Sequence, residues 1–221
     1  MPKLNTKPGR FREARSDIWL CYNAGMSSQP KPPHPGLRIV KFIKTGPHAI
    51  RLRLEDDLHL RAYGVSRRRH SEITPQLHVG GQHSGTGYER LIERGITAIV
   101  NMREEKYSDA KKGIGGERHL HLPTLDHTPP SIEDLIRGVA FISREIEQHK
   151  GRVYIHCRAG IGRAPSMAAA YLISTGMTRE EALRFIKQSR PFISLNQNQR
   201  RALDEFEADW RDTGRQPPCQ S

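Results

Sequence analysis

The chain has 221 residues, 35% of them apolar: enough for one sizeable domain, but not for a core that fills the whole length. No apolar run approaches the roughly 18 residues of a membrane-crossing helix, and Cys21, Cys157 and Cys219, odd in number and far apart, build no disulfide framework, which points to a reducing, cytoplasmic setting. The net charge of +12 is lopsided: residues 1–70 carry 15 Lys/Arg against 5 Asp/Glu, so any polyanion contact is expected through the N-terminal third.

Residues 1–36 lack a periodic apolar pattern. An Arg-rich targeting leader over residues 1–20 is opposed by Glu13 and Asp17, and "SSQPKPPHPG" (27–36) has the composition of a stiff Pro-rich linker. Ile50, Leu52 and Leu54 then alternate with Arg51, Arg53 and Glu55, and Leu58, Leu60 and Ala62 alternate with His59 and Arg61. This period of two on either side of "EDD" predicts a β-hairpin, with "RIVKF" (38–42) as a third strand. "SRRRH" (66–70) reads as a junction. The expected organisation is a basic extension over 1–70, the main folded domain over 71–212 and a flexible tail over 213–221.

From Ser71 the signals alternate regularly. "LHVGG" (77–81) predicts a strand, and Thr86 with Glu89 a capping box for a helix through "YERLIER", stopped by Gly95. "TAIVNM" (97–102) and "RHLHLPT" (118–124) are two further strands. Ser131 with Asp134 opens an amphipathic helix carrying Leu135, Ile136, Val139, Ile142 and Ile146, and "RVYIH" (152–156) is the next strand. Helices follow over about 165–175, over about 179–189 behind a Thr178–Glu181 capping box, and over about 197–211. Strands alternating with helices predict an α/β fold with a mostly parallel central sheet flanked by helices.

One of the three cysteines sits in "YIHCRAGIGRAP" (154–165), between a buried strand and a helix with Pro165 as its second residue. A strand feeding a glycine-bearing loop and a helix N-terminus gathers backbone N–H groups into one hollow, where the helix dipole also favours an anion. The loop backbone of Arg158, Ala159, Gly160, Ile161 and Gly162 is the candidate phosphate cradle, and Gly160 and Gly162 supply its conformational freedom. Cys157 at its mouth would be held as a thiolate by those amides and by Arg163, which can return across the loop and grip a phosphate bidentately. No Gly-Lys-Ser/Thr closes the loop, which argues against nucleotide binding.

"HCRAGIGR" resembles the Cys-x5-Arg signature of protein tyrosine phosphatases, in their dual-specificity branch. The similarity runs from about Ser71 to Trp210, with "EITPQLHVGG" resembling the strand that opens such a domain and "SRPFISLNQNQRRALDEFE" (189–207) its closing helical segment. "VNMREEKY" and "LPTLDHTPPSIEDLIRGVAFI" are most similar to the subgroup containing the mitochondrial phosphatase of phosphatidylglycerophosphate.

The resemblance implies a cysteine-dependent phosphomonoesterase that needs no metal and no cofactor. Cys157 would be the nucleophile, Arg163 the phosphate clamp and Asp126, 31 residues before the cysteine, the general acid. His156 would brace the loop by hydrogen bonding and tune the thiolate. The branch places Ser or Thr after the arginine, to help the thiolate leave; this chain has Ala164, which implies slow hydrolysis of the intermediate. The expected substrates are phosphotyrosine and phosphoserine or phosphothreonine in proteins, with a phospholipid or other non-protein phosphate as the alternative. Arg158 suits an inositol phosphate but Ile161 does not, and no interleaved aromatics favour the 5′-triphosphate of RNA. A phosphate-binding pseudophosphatase is the alternative of a different class. His119 and His121 share a strand face, but no third ligand stands at a spacing that fits a metal. Lys111 and Lys112, near glycines, read as a solvated loop.

Overall fold

The computed structural model describes residues 46–104 and 118–214. The linker at 27–36, the strand expected at 38–42, Lys111, Lys112, Cys21, Cys219 and most of the expected tail lie outside them. Four strands form one sheet: β1 (Leu77–Gly80), β2 (Ala98–Arg103), β3 (His119–Thr124) and β4 (Val153–His156). They stand in the order β1-β4-β2-β3, and each neighbouring pair is parallel. The four strands predicted from Ser71 onward all fall here.

Because successive strand residues point to opposite faces, the two central strands each feed two cores. Ala98, Val100 and Met102 of β2 and Val153 and Ile155 of β4 join the larger one, whereas Ile99 and Tyr154 join a smaller cluster with Val65, Leu91 and Ile96. The helices are α1 (Pro47–Tyr63), the short α2 (Arg68–Ser71), α3 (Gly85–Glu93), α4 (Ile132–Ser143), α5 (Arg163–Ser174), α6 (Arg179–Ser189) and α7 (Gln197–Asp212). A π-helical turn, Arg144–Gln148, continues α4. Every residue of α5 is buried, and its run Ala168, Ala169 and Ala170 lets the sheet, α4, α6 and α7 close around it. This central helix starts where the loop after β4 ends, so its N-terminus is held rigidly beside Cys157. It begins at Arg163, which makes Pro165 its third residue, still within the first turn.

Ser131 and Thr178 cap α4 and α6 as the sequence predicts, and Asn196 with Gln199 adds a capping box on α7. For α3 the cap is Ser84, not Thr86: its Oγ accepts from Gly87 N at 3.1 Å. No helix of the described residues is long and apolar enough to cross a membrane.

The expected β-hairpin over residues 50–62 is instead the helix α1. Pro47 stands in its first turn, Arg51–Glu55 and Arg53–Asp57 pair one turn apart, and Gly64 closes it with a left-handed φ of 69°. Leu, Arg, Glu and Ala are also stronger helix than strand formers. The two-residue alternation was a coincidence of composition. The face that packs inward is spaced at three and four residues, through Ala49, Leu52, Asp56 and Leu60, while Ile50, Leu54 and Leu58 stay exposed.

Burial gives one acid outside the site a measurable role in stability. Glu147, 9% exposed, has its carboxyl pushed up to about 8 by burial, against a smaller opposing pull from Lys150. The folded state therefore holds a proton that the unfolded chain releases above the ordinary carboxyl value of 4.5. Stability contributed by protonation is lost as pH rises towards 8, at up to about 1.4 kcal/mol per pH unit. Glu147→Gln removes this loss: urea melts of wild type and variant should diverge by about 2 kcal/mol in the variant's favour on going from pH 6 to pH 8.

Candidate active site

The loop between β4 and α5 carries residues 157–162. Its carbonyl oxygens are bound, one after another, by groups outside the loop or in the following helix. Arg158 O accepts from Gln82 N at 3.0 Å, Ala159 O from Arg190 Nη2 at 3.0 Å and Gly160 O from Arg190 Nε at 2.6 Å. Ile161 O accepts from Ser194 N at 3.0 Å and Gly162 O from Ser166 N at 2.9 Å. In a planar trans peptide the N–H of the next residue points opposite to the carbonyl. Tying these carbonyls outward therefore turns the N–H groups of residues 159–163 to the loop's inner side. Gly160 makes the fold of the loop feasible: its φ is 66°, and a Cβ there would lie 2.4 Å from the carbonyl of Gly80.

Cys157 sits at the base, 3% exposed, at the margin of the larger core. Its sulfur is not buried among aliphatic groups alone, because Gly160 N donates to Sγ at 3.2 Å. Arg158 is exposed, and Ala159, Ile161 and Gly162 are half-buried around the hollow. Arg163, 2% exposed, sends Nη1 to Thr124 O at 2.8 Å and Nη2 to Asp126 Oδ1 at 3.0 Å. Its Nε has no hydrogen-bond partner among the described residues, which leaves a donor for an oxyanion.

Asp126 belongs to the loop after β3, and its side chain is 54% exposed. That loop is anchored from α7: Asn196 Nδ2 donates to His127 O at 2.6 Å and Gln199 Nε2 to Thr128 O at 3.1 Å. Arg163 thus ties the two loops together, with Asp126 at the open rim and Cys157 at the floor. His156 is fully buried behind the floor, its ring 5.1 Å from that of His83 and stacked with Tyr154. Burial, then the nearby His83 and His119, hold its pKa well below the ordinary value, so it is neutral. A hydrogen bond with the Cys157 backbone works weakly in the opposite direction, although neither ring nitrogen has a partner of close geometry among the described residues. Packing among rings holds this histidine directly behind the loop. His121 is engaged through Nε2 with Arg103 O at 2.6 Å.

Sequence reasoning passed over Arg190, which is fully buried and holds two of the loop carbonyls while lying over the Phe192 ring at 4.5 Å. The signal was present in "SRPF", where a charged residue sits beside a proline and an aromatic between two helices. Ser194, Asn196 and Gln199 were legible only as helix-entry residues.

A cysteine and an arginine bracketing an amide-lined loop, between a parallel strand and a buried helix, define the class of site. Residues 77–209 match the family model "Dual specificity phosphatase, catalytic domain", and the chain belongs to that family. Dual specificity protein phosphatase 12 of Rattus norvegicus is 30% identical over 139 residues, 62% of this chain and 41% of that protein, so the chain spans less than half of that relative. The crystal structure of PTPMT1 is similar with a TM-score of 0.58 and 27% identity, covering 65% of this chain and 97% of that one. A second PTPMT1 structure, in complex with PI(5)P, is similar with a TM-score of 0.56 and 27% identity, covering 64% and 96%.

Proposed function

We propose that the chain hydrolyses phosphate monoesters through a phosphocysteine at Cys157, with phosphotyrosine and phosphoserine or phosphothreonine side chains of proteins as substrates. The observation that carries this reading is the set of outward-bound carbonyls at residues 158–162, which aims their neighbouring N–H groups at one small anion. In the first step the Cys157 thiolate attacks phosphorus, the S–P bond forms and the ester P–O bond breaks. Asp126 as the acid gives its proton to the leaving oxygen, while the amides of residues 159–163 and Arg163 hold the equatorial oxygens. In the second step Asp126 takes a proton from water, the water oxygen attacks phosphorus, and inorganic phosphate and the thiolate are released.

Ala164 gives this second step its character. It is buried and has no hydroxyl to offer the departing sulfur, and the Ser166 hydroxyl donates to Gly162 O at 3.0 Å instead. Dephosphorylation of the enzyme is therefore the slow step. With p-nitrophenyl phosphate at high enzyme concentration, stopped-flow absorbance should show a burst close to one product per enzyme, then a slower steady state. Acid quenching during that steady state should leave phosphate on the peptide containing Cys157. A linear time course with no labelled cysteine contradicts the reading.

A lipid substrate is the second reading, supported by the similarity to PTPMT1, whose structure was solved with PI(5)P. Arg158 is exposed beside the hollow and suits a headgroup phosphate, whereas the apolar Ile161 supplies no second cation. Comparing kcat/KM for phosphopeptides with that for phosphatidylglycerophosphate and PI(5)P in mixed micelles separates the two. Phosphate binding without turnover of any of them would make the chain a pseudophosphatase. A cysteine nucleophile works in a reducing compartment, in keeping with a cytoplasmic setting, and the basic residues of 1–70 suit a polyanionic partner.

A further inference from the structure

Behind the loop, on the side away from Cys157, lies a buried ion pair that the reaction does not use. Arg190 is fully buried and engages four of its five N–H groups. Nε goes to Gly160 O at 2.6 Å, Nη1 to His70 O at 3.0 Å, and Nη2 to Ala159 O at 3.0 Å and to Asp56 Oδ2 at 3.1 Å. Asp56, 2% exposed, comes from the inner face of α1, before the start of the family match at residue 77. Its other oxygen accepts from Arg67 N at 2.8 Å and lies 3.8 Å from His70 Nδ1. Burial, more than it is offset by Asp56, holds His70 below its ordinary pKa, so Arg190 is the cation that Asp56 balances.

We propose that Asp56 is a positioning residue for the phosphate loop, acting through Arg190, and that α1 is therefore part of the catalytic unit. This rests on the reading of Cys157 and its loop as the reactive site. The carbonyls of Ala159 and Gly160 are the far ends of the peptide units whose N–H groups belong to Gly160 and Ile161. Arg190 grips the first pair, so its position sets where the second pair points; one of them is the amide that donates to Cys157 Sγ at 3.2 Å. Asp56 orients the guanidinium fork and neutralises it where no water can, a fixed second layer beneath a site that must be held to a fraction of an ångström. Leu60, one turn on from Asp56, fills the space a side chain at Gly81 would need, beside the carbonyl of Arg158. Helix α1 thus touches the strand-end backbone that supports the loop as well as the arginine that aims it.

Asp56→Asn keeps the side-chain volume and an acceptor for Arg67 N while removing the charge, and its fold is checked by circular dichroism at the assay temperature. The variant should lose about tenfold in kcat on p-nitrophenyl phosphate with little change in KM, since the misaimed amides matter most where charge develops. The second readout needs no turnover: the ratio of Cys157 alkylation rates by iodoacetate and neutral iodoacetamide, which reports the anion hollow, should fall several-fold. A folded variant with wild-type kcat and alkylation ratio overturns the proposal. The same coupling is readable in the wild-type chain, because coupling between sites is reciprocal. Orthovanadate that protects residues 157–163 from amide exchange should also slow exchange in residues 47–63, and protection of the loop alone overturns the proposal. Vanadate that protects neither segment, with no turnover by wild type, overturns the phosphatase reading itself.

Discussion

Cys157→Ser should lower the steady-state hydrolysis of p-nitrophenyl phosphate by about four orders of magnitude while leaving the binding of phosphorylated ligands nearly intact. Sulfur and oxygen differ here in nucleophilicity. A cysteine thiol ionises far more readily than a serine hydroxyl and its sulfur is the better nucleophile, and a serine here has no base beside it: the neighbouring histidine is neutral but packed among rings. The substitution is small, retains an acceptor for Gly160 N and leaves the carbonyls of residues 158–162 tied outward, so the cradle itself survives. Kinetics and orthovanadate or phosphopeptide binding measured on the same preparation separate the two effects. Wild-type turnover by the variant would remove Cys157 as the nucleophile, and loss of binding along with turnover would mean that the loop had collapsed.

Arg163→Lys should cost about three orders of magnitude in kcat/KM, although the charge is preserved. The guanidinium does separate work with separate nitrogens. Nη1 holds the Thr124 carbonyl, Nη2 pairs with Asp126, and Nε faces no partner among the described residues. An ammonium group is a single point at the end of a flexible stem and cannot span the loop and the Asp126 segment together. The loss should be larger for substrates with poor leaving groups, because Asp126, proposed to protonate the leaving oxygen, loses its anchor as well. Comparing p-nitrophenyl phosphate with phenyl phosphate reads that difference; an equal loss on both would confine Arg163 to phosphate binding.

Much of the catalytic fold could be read along the chain. The four strands declared themselves as short apolar runs, and Ser131 and Thr178 marked helix starts because a cap is a contact between residues three apart. Thr86 misled for the same local reason, since Ser84, two residues earlier, offers an equivalent hydroxyl and is better placed. The error over residues 50–62 is more instructive. Leucines alternating with arginines satisfy a strand pattern, but the element is decided by pairs four residues apart and by Asp56, a polar residue on the buried face that no apolar pattern would place there. A buried carboxylate makes sense only beside the arginine it meets, 134 positions further on at Arg190.

What the amino-acid order determined by itself was the reactive motif and its setting: a cysteine and an arginine six apart, at the seam of a strand and a helix, joined by residues free to turn. Those relations span about ten residues and need no distant contact. What only the tertiary structure decided was the direction of the loop's amides, because the groups that restrain its carbonyls come from Gln82, Arg190 and Ser194. A short glycine-bearing loop can turn its N–H groups either way at similar cost, and the choice is made by whichever distant donors pack against its back.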